Sequence, residues 1–205
     1  MIKSRHRPFY VWFFKVYTKV MLRKHFQDVI LKGEFIDRGL PVLVIGNHFS
    51  WWDGFIAYYF NMKVFRRKFH IMMLEEQLAG RSFLNKAGAF SIKKGGRSVV
   101  ESLDYAAGVL QHENNIVVLY PQGEFQSLHA RTVIFEKGIR YIVAKLSSEF
   151  HLVFYSALPD YFSDKKPTLT VYYREMNFNL ASEPEQLQSD YNDFIRECSL
   201  QQTPG

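Results

Sequence analysis

The stretch Val42-Leu43-Val44-Ile45-Gly46-Asn47-His48-Phe49-Ser50-Trp51-Trp52-Asp53 decides how the rest of the chain is interpreted. It opens with four apolar residues bounded by Pro41 and Gly46, which is the pattern of a short buried β-strand. The chain then turns through Gly46-Asn47 and enters residues 51–60, which we predict to be a helix. The stretch therefore predicts a strand, a turn that carries polar side chains, and a helix.

His48 and Asp53 form a candidate catalytic pair within this stretch. An aspartate can hold one nitrogen of an imidazole ring and stabilise the imidazolium, which leaves the other nitrogen free to accept a proton. Five positions along an ideal helix place two side chains about 140° apart, because each residue turns by roughly 100°. We therefore expect His48 in the turn and Asp53 in the first turn of the helix. The alternative is a surface histidine near a helix-capping aspartate.

The composition favours one folded domain with an affinity for negative charge. A chain of 205 residues is long enough for a substantial core, and 47% hydrophobic with 22% charged residues is ordinary for a folded protein. The net charge of +6 favours anionic lipid headgroups, an acidic carrier protein or nucleic acid as a partner. Cys198 is the single cysteine, so no intramolecular disulfide can form, which fits a reducing compartment.

The N-terminal region, residues 1–31, is predicted to be an amphipathic helix separate from the domain at 32–205. The helix opens at Pro8, continues to residue 31, and is rich in aromatic residues and positive charges. Such helices lie at the surface of anionic membranes. The alternative is a helix that packs on the domain and exposes its lysines. We find neither a signal peptide nor a run of roughly 20 apolar residues, so we expect a peripheral protein on the cytoplasmic face of a membrane.

Strands alternate with helices in the remainder of the chain. We predict strands at 34–37, 42–45, 70–74, 89–92, 116–120, 151–158 and 169–173, and helices at 51–60, 75–78, 98–112, 137–146 and 183–198. This alternation predicts a single α/β domain with a mixed, largely parallel sheet flanked by helices. Ligands of such sheets bind at loops that follow the strands, which is where the candidate residues lie.

The motif Asn47-His48-x-x-x-x-Asp53 resembles the first motif of the glycerolipid (lysophospholipid) acyltransferases, the family of 1-acylglycerol-3-phosphate acyltransferase-like proteins. The resemblance runs from about Glu34 to Pro159. It implies the α/β fold of that family, His48 as the general base, Asp53 as its orienting partner, and Asn47 as a substrate-binding residue. It also implies acyl-CoA or acyl carrier protein as a cosubstrate.

The second family motif, in which an apolar residue precedes a basic one, corresponds to residues 88–94. The usual arginine of the family falls on Lys93, which keeps the charge but loses the bidentate fork for phosphate. The alternative is that Lys93 and Lys94 are surface lysines that flank a turn before Gly95-Gly96. The fourth motif corresponds to residues 152–159, which read as a strand but lack the inner prolines.

The third family motif, Phe-Pro-Glu-Gly-Thr-Arg-Ser, corresponds to Tyr120-Pro121-Gln122-Gly123-Glu124-Phe125-Gln126. Gln122 replaces the acidic residue and Phe125 replaces the basic one, whereas Glu124 and Arg131 could restore these charges from neighbouring positions. The changes predict an acceptor with less phosphate character, such as a lipid hydroxyl, a glycolipid sugar or a lysolipid of another headgroup. The predicted substrate-binding residues are Asn47, Lys93, Gln122, Gly123, Glu124 and Arg131.

These observations predict a membrane-associated acyltransferase that moves a fatty acyl group from acyl-CoA or acyl carrier protein to a hydroxyl of a lipid acceptor. The sequence has no metal-ligand spacing, P-loop or Gly-x-Gly-x-x-Gly motif, so we expect no metal or bound cofactor. The competing prediction is a non-catalytic module of the same fold that binds lipid or nucleic acid. Nucleic acid is not the partner we expect.

Overall fold

The computed structural model describes residues 1–93, 95, 97–130, 132–146, 148–177 and 184–203. The strands are β1 (Val29–Lys32), β2 (Val42–Gly46), β3 (Lys68–Leu74), β4 (Ala89–Ile92), β5 (Asn115–Leu119), β6 (His151–Asp160) and β7 (Thr168–Met176). The helices are α1 (Pro8–His25), α2 (Asp53–Lys63), α3 (Glu75–Ala79), α4 (Arg97–Val109), α5 (Gly138–Lys145) and α6 (Pro184–Leu200), with a 3₁₀ helix at Ser82–Ala87.

The seven strands form a single mixed sheet in the order β1-β7-β6-β2-β5-β3-β4. Strands β6, β2, β5, β3 and β4 are parallel, whereas β7 is antiparallel to β6 and pairs in parallel with β1. The predicted α/β class and the largely parallel sheet are therefore confirmed. The carboxyl ends of the five parallel strands meet at one edge, and the loops that follow β2 and β5 are neighbours there.

Strand β2 is buried on both faces, which explains its uninterrupted apolar sequence. Leu43 and Ile45 pack in a core cluster with side chains of α4, α5 and α6. Val42 and Val44 pack on the other face with side chains of α1, α2 and α3. Full burial of such a side chain contributes about 1.5–3 kcal/mol. The strand that carries the candidate site is thus anchored at the centre of a three-layer structure.

Two predictions for the region before β2 are wrong. The first helix ends at His25, because Phe26 is extended and the segment after it pairs with β7 as strand β1. The backbone N–H of Gln27 donates to the carbonyl of Pro167 at 2.9 Å, which turns the chain into the sheet. Residues 34–37 form no strand and lead from β1 to β2 as irregular chain.

Helix α1 both packs on the domain and exposes an apolar surface. Its inward side chains, Phe14, Thr18 and Leu22, are buried. Its opposite side is formed by exposed apolar residues, which we call the outward face: Phe9, Trp12, Phe13, Val16 and Val20. The helix contains no acidic residue. The two alternatives raised by the sequence are therefore compatible with each other, since one side of the helix packs and the other remains free.

The segment 2–7 lies against the β4 end of the sheet before it enters α1. The backbone N–H of Ser91 in β4 donates to the carbonyl of Ile2 at 2.9 Å. Further along, the N–H of Arg5 donates to Asn85 and that of Arg7 to Lys86, at 2.8 and 2.9 Å. The segment therefore occupies the outer edge of β4 at Ser91 and fixes the start of α1.

Candidate active site

His48 lies in the turn after β2, which two structural features hold in place. The side-chain amide of Asn47 continues the parallel pairing of β2 with β6, since Nδ2 donates to the carbonyl of Ala157 at 2.9 Å and Oδ1 accepts from its N–H at 2.8 Å. Both polar ends of the amide are thus engaged with the sheet. These contacts favour a positioning role for Asn47 over the predicted contact with substrate.

Gly46, the last residue of β2, lies against the ring of Tyr155, and a Cβ at this position would overlap that ring. We expect Gly46→Ala to lower the free energy of unfolding by about 3 kcal/mol, because overpacking forces buried groups apart. Urea denaturation measures this change.

The matched control is Gly54→Ala, which adds the same methyl group at the second residue of α2, where no atom lies within 4 Å. This substitution should leave stability equal or raise it by about 0.5–1 kcal/mol. Equal stability of the two variants would contradict the tight packing of Tyr155 on Gly46.

His48 and Asp53 are joined by a short hydrogen bond, with Nδ1 and Oδ2 2.6 Å apart. Because a carboxylate oxygen only accepts, this bond places the ring proton on Nδ1 and leaves the lone pair on Nε2. None of the described residues hydrogen-bonds to Nε2, and 23% of the side chain is exposed. The imidazole thus has the tautomer and the access that a general base requires.

Asp53 is the first residue of α2 and is 2% exposed. Its Oδ2 also accepts from the backbone N–H groups of Phe49 and Ser50, at 2.8 and 3.0 Å, and Oδ1 is 3.4 Å from the hydroxyl of Ser50. These donors compensate the burial of the charge, and a carboxylate in the first helical turn is favoured by the helix dipole. The predicted arrangement, with His48 in the turn and Asp53 in the first helical turn, is confirmed.

Two tyrosines support the pair, Tyr120 directly after β5 and Tyr155 within β6. The ring of Tyr120 stacks on the imidazole of His48, with ring centres 4.4 Å apart and planes at 12°. Its hydroxyl donates to the backbone carbonyl of Asp53 at 2.8 Å and accepts from the hydroxyl of Tyr155 at 3.0 Å. Burial, together with the Asp53 carboxylate, raises the pKa of Tyr120 well above its ordinary value. The hydroxyl therefore stays protonated and keeps donating to Asp53.

The loop of residues 121–126, which follows β5, also borders the site. The N–H of Gln126 donates to the carbonyl of His48 at 2.8 Å. The ring of Phe125 contacts the imidazole, with ring centres 4.3 Å apart. Gly123 has a φ of 67°, a conformation that glycine adopts without strain. The side-chain oxygen of Gln122 is buried and has no hydrogen-bond partner among the described residues. The third motif therefore contacts the His48 turn directly.

The remaining predicted site residues lie farther from His48 or outside the described residues. Lys93 follows β4, three strands from β2, so its backbone is about 14 Å away at the usual strand spacing of 4.7–4.9 Å. Its side chain is exposed and can reach only a distant part of a substrate. Glu124 is exposed in the loop of residues 121–126. Arg131 lies outside the described residues. The substrate-binding roles of these residues remain predictions.

The sequence interpretation missed the contribution of Tyr155. Its hydroxyl reaches Tyr120 from β6, 35 positions away in the chain, and its ring limits the residue at Gly46 to glycine. The available signal was the tyrosine inside an apolar strand, since a buried tyrosine hydroxyl generally finds a hydrogen-bond partner. The contact between the rings of Phe125 and His48 was missed as well, because the sequence indicated only that an arginine had been replaced.

The fold and the site define an α/β protein with a candidate base at the carboxyl edge of its sheet. The family model described as Acyltransferase matches residues 23–161, more than half of the chain, and the protein belongs to this family. Membership of the glycerolipid acyltransferases, predicted from the motifs, is thereby confirmed. A comparison with curated proteins gave no match. The family identifies a transferase with an acyl donor and an acceptor as its substrates.

None of the described helices combines the length and the apolar character needed to cross a bilayer. In the described part of the chain, no three His, Cys, Asp or Glu side chains are grouped so that they could bind a metal ion.

Cys198 is buried, and burial raises the pKa of its thiol to about 12. It is therefore a packing residue rather than a nucleophile.

Proposed function

We propose that the protein transfers a fatty acyl group from a thioester, acyl-CoA or acyl carrier protein, to a hydroxyl of a lipid acceptor at a membrane surface. The observation that carries this proposal is the bond between His48 and Asp53, which leaves Nε2 free at the edge of the sheet. Family membership supports acyl transfer as the reaction, and this geometry supports His48 as its general base.

In the proposed reaction, Nε2 of His48 accepts the proton of the acceptor hydroxyl while its oxygen attacks the thioester carbonyl. The imidazolium that forms is stabilised by Asp53 at 2.6 Å. When the C–S bond breaks, the imidazolium returns the proton to the leaving thiolate. The hydroxyl oxygen is thus joined to the acyl group and the free thiol is released, without an acyl-enzyme intermediate.

The first experiment measures thiol release from long-chain acyl-CoA and from acyl carrier protein, against a panel of lysolipids and glycolipids. We expect the wild type to release thiol only when an acceptor is present. Release without any acceptor would instead identify a thioesterase. Absence of release with every donor and acceptor pair would contradict the proposed function and favour a lipid-binding member of the family.

The acceptor in this proposal carries a hydroxyl but no phosphate monoester. Phe125, at the position of the usual arginine, contacts His48 and offers no charge. Gln122, at the position of the usual acidic residue, is likewise uncharged. Both features support a neutral acceptor.

The double substitution Gln122→Glu with Phe125→Arg tests this acceptor class. We expect it to raise transfer to lysophosphatidic acid by about tenfold or more relative to a neutral acceptor, because charged hydrogen bonds contribute about 1.5–3 kcal/mol. The measurement is the ratio of kcat/KM for the two acceptors, with Phe125→Leu as the uncharged control. An unchanged ratio would contradict the assignment of these positions to acceptor choice.

The outward face of α1 is proposed as the membrane contact. Its five exposed apolar side chains lie on a helix without acidic residues, next to Lys15, Lys19 and Lys24. Rings at headgroup depth and lysines that reach phosphates are the combination by which such helices bind anionic membranes. Because segment 2–7 and the inward side chains fix the helix on the domain, contact of the outward face with a membrane would hold the whole domain at its surface. We place this peripheral protein on the cytoplasmic face.

The double substitution Phe9→Ser with Trp12→Ser tests the membrane contact. It should weaken co-sedimentation with phosphatidylglycerol vesicles by at least about tenfold, since each buried side chain contributes about 1.5–3 kcal/mol. The fold should tolerate it, because both residues are more than 60% exposed. The control is Leu200→Ser, which removes an apolar residue 80% exposed on α6, across the sheet from α1. Equal vesicle binding by the two variants would overturn the assignment.

A further inference from the structure

Two aromatic rings contact the imidazole of His48. Tyr120 stacks on it with ring centres 4.4 Å apart, and the ring of Phe125 is tilted by 36° against it with ring centres 4.3 Å apart. Tyr120 is partly buried against the core, whereas Phe125 is 56% exposed. A large apolar side chain therefore lies between the candidate base and part of the solvent around it.

The backbone fixes the place of Phe125 beside the imidazole. The next residue, Gln126, donates its N–H to the carbonyl of His48 at 2.8 Å. At the other end of the loop, the N–H of Glu136 donates to the carbonyl of Pro121 at 2.8 Å. The N–H of Gly123 donates to the carbonyl of Tyr120 at 3.2 Å and so forms a turn. The ring is thus held at the site by the loop that carries it, unlike an unconstrained surface phenylalanine.

We propose that the ring of Phe125 excludes water from the imidazole of His48 and so makes the enzyme favour transfer over hydrolysis. This inference rests on the proposed function. Water is the smaller competitor for the same base: His48 would take a proton from water, the water oxygen would bond to the thioester carbon, and the C–S bond would break. The proton would then pass to the thiolate, and the products would be a free fatty acid and the thiol.

The base itself cannot distinguish the two nucleophiles, because each presents an O–H group to the same nitrogen. Discrimination has to come from the space around the ring, where expulsion of water suppresses the side reaction. The contacts of Tyr120 and Phe125 with the imidazole narrow the space through which Nε2 is approached. An acceptor with an apolar body can pack on Phe125 as its hydroxyl reaches this nitrogen, which water cannot do.

The experiment measures two products from the same acyl-CoA, the acylated acceptor and the free fatty acid, for the wild type and for Phe125→Ala. We expect the ratio of hydrolysis to transfer to rise by about threefold to tenfold in Phe125→Ala, in line with the loss of one aromatic contact. Phe125→Leu keeps an apolar side chain over the imidazole, and its ratio should stay close to that of the wild type.

The matched control is Phe83→Ala, which removes an exposed phenylalanine whose ring stacks on Phe14 of α1, away from the site. Its ratio of hydrolysis to transfer should not change. If Phe125→Ala loses both products in equal proportion, the ring positions His48 and does not exclude water, and the inference is overturned. If the wild type itself shows no acceptor-dependent product, the proposed function fails, which is a separate and recognisable result.

Discussion

His48→Ala should lower the rate of acyl transfer by about 10²–10⁴-fold, the usual contribution of a positioned general base. The substitution removes the imidazole that is bonded to Asp53 through Nδ1, and with it Nε2 as the acceptor of the hydroxyl proton. Folding should survive, because the side chain is 23% exposed and Asp53 keeps its donors from Phe49 and Ser50. The measurement is acceptor-dependent thiol release by purified protein.

Two companion variants sharpen this result. His48→Asn retains an N–H that can donate to Asp53 but has no basic nitrogen, so it should be as inactive as His48→Ala and melt close to the wild type. His112→Ala removes an exposed histidine in the turn between α4 and β5 and should retain full activity. Near wild-type transfer by His48→Ala would refute the mechanism.

Asp53→Asn should lower transfer by about 10–100-fold, a smaller loss than at His48, because it removes a charge-assisted hydrogen bond worth about 1.5–3 kcal/mol. The amide oxygen can take the place of Oδ2 and still accept from His48, Phe49 and Ser50. What is lost is the negative charge that stabilises the imidazolium. The reduction should therefore fall on kcat, with KM little changed.

Asp53→Ala separates this electrostatic effect from a structural one. It leaves the buried N–H groups of Phe49 and Ser50 without an acceptor, which costs about 1–3 kcal/mol for each unsatisfied group. We expect a clear fall in melting temperature for Asp53→Ala and a small one for Asp53→Asn. The control Asp193→Asn alters an exposed aspartate paired with Arg196 and should change neither property. Full activity of Asp53→Asn would show that the charge of Asp53 does not assist the base.

The parts of the site that the sequence predicted are local ones. The apolar run of β2, the turn and the start of α2 are contiguous, so the proximity of His48 to Asp53 follows from one strand, one turn and one helical turn. The alternation of strands and helices was sufficient for the α/β class, because each pattern is set by neighbouring residues. The motif after β5 was also recognisable, since it follows a buried strand.

The parts that the sequence did not predict depend on which strands are neighbours. The hydrogen bond from Tyr120 to Asp53 spans 67 positions and exists because β5 lies beside β2. The extension of the first helix into residues 29–31 was wrong for the same reason: Val29 and Ile30 pair with β7, 140 positions later in the chain. A helical and a strand interpretation of these apolar residues differ only through that distant partner.

The contact between segment 2–7 and β4 also affects how copies of the protein can associate. An unpaired edge strand is a template for intermolecular strand addition and aggregation. At the β4 end of the sheet, Ile2 already accepts from the N–H of Ser91, so a strand from another molecule would have to displace it. A strand from another molecule can therefore be added more readily at β1, which is the edge strand at the opposite end of the sheet. This strand has only four residues and ends in Lys32, and both short length and a lysine discourage such pairing.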